Sequence, residues 1–264
     1  MSKSSIAIIT SNHLRHSWLI DQLSSVCNIA CAIVETKPAK NPSSKLNPDP
    51  EVRAYFNERD EAEKKWFGGN EGTFYRVKNT MEINWGESNS NKVCEFIKSF
   101  EPDLIVLFGC SIIKKPLQQQ FAGRIINMHL GLSPYYRGSA TNFWPLVDGM
   151  PECVGVTIHH ATLKIDGGNI IMQARPDANQ SDTSHDLGCK SIIAGFDCLS
   201  TVIQEKLYQK SGSEQQDTGI LCRRNDFTGK SLKALRQNFD NGMLELYVQN
   251  KYTRDSKYPI VETV

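Results

Sequence analysis

Short, continuous apolar runs constrain the fold of this chain more than any other feature. Ile6–Thr10, Ile29–Val34 and Leu104–Phe108 are almost entirely apolar, as is typical of strands buried on both faces of a parallel sheet. After the first run, Trp18, Leu19 and Leu23 recur at helical spacing. This alternation predicts an α/β fold with a doubly wound, Rossmann-like and mostly parallel sheet.

Further elements follow from the same patterns. The predicted helices are Val52–Trp66, Ser90–Phe100, a long helix that carries Ile192 to Leu207, and Ser231–Phe239. The predicted additional strands are Gly123–Asn127, Val154–His159, Asn169–Gln173, Gly219–Cys222 and Leu244–Val248. We therefore expect a catalytic domain over residues 1–210, with a polar insertion at about 37–86, and a small C-terminal helix and strand appendage over 211–264.

Composition argues against a nucleic-acid-binding, a metal-binding or a membrane-spanning protein. The 264 residues carry a formal net charge of only +1, which argues against a nucleic-acid partner. The eight cysteines are scattered without a repeated Cys-x-x-Cys spacing, so we expect reduced thiols and no metal site. The N-terminal apolar run is far shorter than a membrane span. We therefore expect a cytoplasmic protein without a membrane partner.

A polar pair at the end of one apolar run offers chemistry. Asn127 and His129 alternate after Ile125-Ile126, and alternate residues of a strand point to the same face. An amide can stabilise a developing oxyanion, and an imidazole can carry a proton at neutral pH. Asp166 follows in the loop between two predicted strands and can orient that imidazole. The trio suits acyl transfer without a covalent nucleophile.

Four short motifs occur in a fixed order around this trio. They are Asn127-Met128-His129, Leu132-Ser133-Pro134, Tyr136-Arg137-Gly138 and Ile165-Asp166-Gly167-Gly168. In this order they resemble the signature of the folate-dependent formyltransferase family, over roughly residues 90 to 185. The resemblance implies transfer of a formyl group from 10-formyltetrahydrofolate, the co-substrate, to an amine.

The resemblance also implies roles for individual residues. Asn127 and a protonated His129 would stabilise the oxyanion, while Asp166 would orient His129 and help to remove the proton of the amine. The pterin would lie against the segment that contains Gly109 and against the loop before Asp166, held by backbone groups of both. Gly109 would permit the backbone to approach the pterin closely. The implied cofactor-binding residues are Phe108, Gly109, Cys110, Ile112, Leu163, Lys164 and Ile165.

The acceptor amine is less closely defined. Ser11 to His16 contains no glycine-rich phosphate loop, which disfavours glycinamide ribonucleotide as acceptor. The short C-terminal region without excess charge disfavours initiator methionyl-tRNA. A small amine remains, and we favour an amino sugar on a nucleotide carrier. The expected acceptor-binding residues are Tyr136, Arg137, Gly138 and Asn142, with His13 and Arg15 after the first strand as a candidate anion site.

Two alternatives to this function stay open. The same site could activate water and act as a 10-formyltetrahydrofolate hydrolase, or the chain could be a folate- or nucleotide-binding module without activity. The apolar residues of the tail, including Leu221, Leu232, Leu235 and Leu244, would suit a homodimer interface.

Overall fold

The computed structural model describes residues 3–37, 47–69, 71–216, 218–223 and 226–262. Residues 38–46 of the predicted polar insertion lie outside these ranges. The strands within the described ranges are β1 (Ser5–Ser11), β2 (Asn28–Thr36), β3 (Thr80–Asn84), β4 (Leu104–Phe108), β5 (Ile125–His129), β6 (Tyr136–Gly138), β7 (Val156–His160), β8 (Ile170–Ala174) and β9 (Ile220–Cys222). The α-helices are α1 (Leu14–Val26), α2 (Pro50–Phe67), α3 (Asn91–Lys98), α4 (Lys115–Gln120), α5 (Trp144–Val147), α6 (Ser184–Gln204), α7 (Gly229–Asp240), α8 (Met243–Gln249) and α9 (Lys251–Asp255).

Seven strands form the main sheet in the order β3-β2-β1-β4-β5-β7-β8. The pairs from β3 to β5 are parallel, whereas β7 and β8 are antiparallel to their neighbours. Because β1, β2 and β4 are apolar on both sides, they bury one face against α1 and α6 and the other against α3 and α4. The predicted α/β class with a mostly parallel sheet is confirmed.

The polar insertion contributes two elements that complete this layer structure. α2 begins after Asp49, whose side chain accepts a hydrogen bond from the backbone N–H of Glu51 at 2.9 Å. This contact caps the helix. β3 adds an edge strand beside β2 that the sequence pattern did not predict.

The C-terminal region departs from the predicted pattern at one element. Residues 244–248 do not form the predicted strand but lie within α8, because Met243, Leu244 and Tyr247 recur at helical spacing and are the buried side chains of that helix. Leu232, Leu235 and Leu244 are buried in a cluster that also contains Val52 and Leu146. These three leucines therefore pack within the chain; the predicted domain boundary and the predicted dimer both remain predictions.

β9 pairs in parallel with β6 in a separate two-stranded sheet. Gly138 lies opposite Cys222, with a φ of 98°, and a Cβ atom there would come within 2.4 Å of the carbonyl oxygen of Cys222. Only glycine fits this left-handed, crowded position. The C-terminal appendage therefore lies directly against the Tyr136-Arg137-Gly138 motif.

In the part of the chain that the structure describes, none of the helices combines the length and apolar character needed to span a bilayer.

Candidate active site

A large cleft, with a volume of about 1050 Å³, opens at the carboxyl ends of the central strands. The ends of β4 and β5 lie next to each other in this cleft, so Phe108 and Gly109 border the same space as Asn127 and His129. Ligands of open α/β sheets bind at this edge. The segment around Gly109 and the Asn127-Met128-His129 motif therefore border one crevice.

Strand geometry places Asn127 and His129 together. Met128, between them, points into the main hydrophobic core, so the two polar side chains share the opposite face of β5. Asp166 reaches them from the loop between β7 and β8. Its Oδ1 accepts a hydrogen bond from Asn127 Nδ2 at 3.2 Å, and its Oδ2 lies 3.4 Å from His129 Nδ1.

The backbone of the neighbouring motif also holds the Asp166 carboxylate. The N–H of Gly138 donates to Asp166 Oδ2 at 2.9 Å. Burial on its own would raise the pKa of Asp166, but the nearby His129 and His159 and the Gly138 N–H outweigh it and hold the pKa well below its usual range. Asp166 is therefore a carboxylate at neutral pH.

Both ring nitrogens of His129 have polar neighbours. Nε2 lies 3.2 Å from the hydroxyl oxygen of Thr141 and 3.4 Å from the carbonyl oxygen of Tyr136. Because the Thr141 hydroxyl donates its hydrogen to the carbonyl of Leu130, it accepts from His129, which places a hydrogen on Nε2. Nδ1, which faces Asp166, is then the atom that takes up a proton.

Burial lowers the pKa of His129 below its ordinary value, against the opposing effect of the Asp166 carboxylate. The imidazole is therefore neutral at pH 7 in the free protein. The protonated His129 that the resemblance implies would therefore have to form by proton uptake.

His159 lies beside the trio and was not among the site residues expected from the sequence. It lies opposite Asn127 in the antiparallel pair of β5 and β7. Its Nδ1 faces the carbonyl oxygen of His160 at 2.9 Å and must donate, so Nε2 accepts from Asn127 Nδ2 at 3.1 Å. Both hydrogens of the Asn127 amide are thus directed to His159 and Asp166. The matching positions of Asn127 and His159 in adjacent predicted strands were a signal that could have revealed this contact.

The residues expected to bind the cofactor all border the cleft. They are Phe108, Gly109, Cys110, Ile112, Leu163, Lys164 and Ile165. Gly109 has a φ of 63°, and a Cβ atom there would come within 2.4 Å of Cε1 of His16, which lies beneath it. Ile112, Leu163 and Ile165 expose apolar side chains at the rim. A flat, largely apolar ligand held by backbone groups fits this surface.

A buried carboxylate, Glu35 at the end of β2, supports that surface from below. It is fully buried and accepts from the N–H of Ser111 at 2.6 Å, from the Ser111 hydroxyl at 2.7 Å and from the N–H of Gly86 at 3.1 Å. The Ser88 hydroxyl also donates to it. Glu35 therefore fixes the segment after β4 to the turn after β3.

We expect Glu35→Ala to lower the free energy of unfolding by roughly 2–5 kcal/mol, because it leaves a cavity and several buried donors without an acceptor. Urea denaturation measures this difference. The matched control is Glu82→Ala on the exposed side of β3, with an expected change within about 0.5 kcal/mol. Equal stabilities of the two variants would contradict the supporting role of Glu35.

The residues expected to bind the acceptor divide into two groups. Arg15, Gly138 and Asn142 border the cleft. Asn142 accepts from the N–H of Gly155 at 2.9 Å through Oδ1, while its buried Nδ2 has no hydrogen-bond partner among the described residues. An acceptor group in the cleft could accept from this amide.

Tyr136, Arg137 and His13 are not among the residues that border the cleft. Tyr136 is buried, and its hydroxyl donates to Asp148 at 2.8 Å. Arg137 is also buried. Partial burial, together with Arg15 and Lys37, lowers the pKa of His13 to about 2. This side chain is therefore uncharged at neutral pH and offers no positive charge to an anion.

Two features of the cleft were not foreseen from the sequence. The first is an aromatic wall formed by Tyr55, Phe56, Phe143 and Phe227. The second is its charge: six cationic side chains border the cleft against two carboxylates, Glu63 and Asp166. The cations are Arg15, Lys37, Arg59, Lys114, Lys164 and Arg223. Both features combine residues that are distant in sequence, so local patterns carry no signal for them.

The fold and this polar trio define an α/β protein with a candidate active site in the cleft at the carboxyl edge of its sheet. The model of the formyl transferase family matches residues 6–203. The chain belongs to this family.

Individual relatives agree with this membership. A methionyl-tRNA formyltransferase of Borreliella burgdorferi (strain ZS7) is 35% identical over 99 residues, which are 37% of this chain and 31% of the relative. A phosphoribosylglycinamide formyltransferase of Escherichia coli (strain K12) is 32% identical over 102 residues, which are 38% of this chain and 48% of the relative. Each match spans less than half of the relative.

Solved structures show the same fold over more of the chain. A sugar N-formyltransferase from Shewanella sp. FDAARGOS_354 has a TM-score of 0.58 at 18% identity, covering 89% of this chain and 87% of that one. A formyltransferase from Anoxybacillus kamchatkensis, solved in complex with UDP-4,6-dideoxy-4-formamido-L-AltNAc and tetrahydrofolate, has a TM-score of 0.50 at 18% identity and covers 84% of this chain and 87% of that one.

Proposed function

We propose that this protein transfers the formyl group of 10-formyltetrahydrofolate to the amine of an amino sugar carried on a nucleotide. The observation that carries the proposal is the position of Asn127, His129 and Asp166 on the floor of a cleft with two different borders. One border is the apolar segment around Gly109, and the other is the aromatic wall with its cationic neighbours.

The apolar border fits the pterin of the co-substrate. Ile112, Leu163 and Ile165 supply apolar surface, and Gly109, which has no side chain, leaves its backbone open to a ligand. Lys114 and Lys164 beside this surface suit the carboxylates at the other end of a folate. The bound co-substrate supplies the electrophilic formyl carbon.

The residues of the trio then have distinct tasks. The amine attacks the formyl carbon, the bond between that carbon and the folate nitrogen breaks, and one proton moves from the amine to the folate nitrogen. Neutral His129 accepts the proton at Nδ1, where the Asp166 carboxylate stabilises the resulting charge. The Asn127 amide stabilises negative charge on the formyl oxygen, exchanging one of its present hydrogen bonds for this contact.

The other border fits a nucleotide. Aromatic faces can stack on a base; Arg59 lies over the ring of Phe56, and Arg15 borders the same cleft. Glu63 pairs with Arg15 and Asp60 with Arg59, so a diphosphate would compete with these carboxylates for the two guanidinium groups. The sugar N-formyltransferase from Shewanella, which covers most of this chain, supports the same acceptor class. Methionyl-tRNA and phosphoribosylglycinamide formyltransferases are equally similar relatives, so the choice of acceptor rests on the aromatic wall and its cationic neighbours.

The test is an assay with 10-formyltetrahydrofolate and a panel of nucleotide-linked amino sugars, with glycinamide ribonucleotide as a comparison. Tetrahydrofolate release and acceptor mass are followed for the wild type and for His129→Ala. We expect one amino sugar to gain a formyl unit and the substitution to abolish the gain. Release of tetrahydrofolate without a modified acceptor would identify a hydrolase instead, and formylation of glycinamide ribonucleotide alone would overturn the proposed acceptor.

A further inference from the structure

The segment that follows α6 lies along the loop that carries Asp166. Its backbone pairs with the start of β8: Ile170 and Ser213 exchange two hydrogen bonds of 2.8 and 2.7 Å. The Asn169 side chain donates to the carbonyl of Ser211 at 2.9 Å. The sequence shows this segment only as a polar linker, yet it is attached to the catalytic loop.

Gln215 makes the contact nearest to the proposed chemistry. Its Nε2 donates to the carbonyl oxygen of Asp166 at 3.0 Å and also to the carbonyl oxygen of Gly168. Both partners are acceptors, so only the NH₂ group of the amide can face them. The buried Oε1 of Gln215 has no hydrogen-bond partner among the described residues, which shows that the side chain is held by its two donors.

The Asp166 loop needs such an external support. Asp166 has a φ of 45°, a left-handed conformation that a residue with a Cβ atom adopts only when its surroundings stabilise it. The four residues before it, 162–165, are exposed to solvent and give little packing support. The Asn127 and Gly138 contacts hold the carboxylate, whereas Gln215 holds the main chain on both sides of Gly167.

We propose that Gln215 is a positioning residue for Asp166: its two hydrogen bonds fix the loop so that the carboxylate faces His129 and Asn127. This inference rests on the proposed function for its effect on catalysis. It also makes the C-terminal segment a part of the active site, although this segment touches none of the reacting atoms.

Two substitutions test the proposal. Gln215→Met keeps the length of the side chain and removes both donors without adding charge, and Gln215→Ala removes the whole amide. We expect each to lower kcat by about 10- to 100-fold, because small displacements of a catalytic group have effects of this size. The midpoint of thermal unfolding should stay close to that of the wild type. Gln216→Ala, at the exposed neighbouring position, is the matched control and should leave kcat unchanged.

A second measurement reports the position of Asp166 without any substrate. NMR titration of the histidine rings gives the pKa of His129, whose signal is identified by its loss in His129→Gln. Because the Asp166 carboxylate raises this pKa, Asp166→Asn should lower it, and Gln215→Met should shift it in the same direction. The control Gln216→Ala should titrate like the wild type.

These two measurements separate the possible failures. If the wild type transfers no formyl group to any acceptor, the proposed function fails, and the titration still decides the role of Gln215. The positioning role would be overturned if His129 had the same pKa in both Gln215 variants as in the wild type. A kcat of these variants within about twofold of the wild type would also overturn it. A loss of kcat that merely parallels a lower unfolding temperature would also overturn it.

Discussion

Asp166→Asn is expected to lower kcat by roughly 1000- to 10,000-fold, the range observed when the carboxylate that orients a catalytic histidine becomes an amide. In this protein Asp166 accepts from Asn127 and from the Gly138 N–H and faces His129 Nδ1. An amide at this position would turn a donor toward one of these groups. It would also remove the negative charge that stabilises a proton on His129.

The same substitution should change the pH dependence in a defined direction. Burial lowers the pKa of His129 and Asp166 opposes this effect, so removing the carboxylate lowers the pKa further. The acid limb of kcat/KM, which reports the essential base of the free enzyme, should lie below the usual histidine range in the wild type and at still lower pH in Asp166→Asn. A limb at higher pH in the variant would contradict the assigned role of Asp166. Asp177→Asn, an exposed carboxylate outside the cleft, is the matched control.

Asn127→Ala is expected to lower kcat by about 100- to 1000-fold, as for removal of one oxyanion donor. KM for the co-substrate should change little, because the amide acts mainly on charge that develops during transfer. The exposed Asn241→Ala at the end of α7 should behave as the wild type. A fall in kcat of less than about tenfold would contradict the role of Asn127 as an oxyanion donor.

A double-mutant cycle extends this test to His159. Because His159 Nε2 accepts from the Asn127 amide, we expect most of its effect on rate to pass through Asn127. The losses in His159→Ala and Asn127→Ala should then be far from additive in the double variant. Additive losses would show that His159 acts independently, for example through its 3.7 Å approach to Asp166.

Only those parts of the site that depend on residues close together in the sequence were predictable. The alternation in β5 places Asn127 and His129 on one face, and apolar runs mark β1, β2 and β4 as buried strands. Asp166, which lies 39 residues from Asn127, was linked to them by the order of the motifs and not by any local pattern. The helix α8 was misread because Tyr247 and Val248 are good strand formers in isolation, and packing of Met243, Leu244 and Tyr247 decided the outcome.

The remaining features depend on how segments that are distant in the sequence pair and pack in the folded chain. Tyr136 and Arg137 stand in a motif beside the cleft, yet pairing of β6 with β9 turns both side chains into buried positions and leaves the Gly138 N–H for the catalytic carboxylate. Glu35 and Gln215 show no sequence signal at all, since their partners are backbone and hydroxyl groups far away in the chain. Supporting residues of this kind require the three-dimensional structure.

The pairing of β9 with β6 and the contacts of residues 211–215 have a consequence for the order of events during synthesis. The strands of the main sheet leave the ribosome before residues 211–215, which contact the Asp166 loop, before β9, which lies against Gly138, and before Phe227, which borders the cleft. A nascent chain can therefore form its sheet early while its catalytic carboxylate is still without support. Under the proposed function, competence for chemistry would therefore arrive late in translation, after all strands of the main sheet have been made.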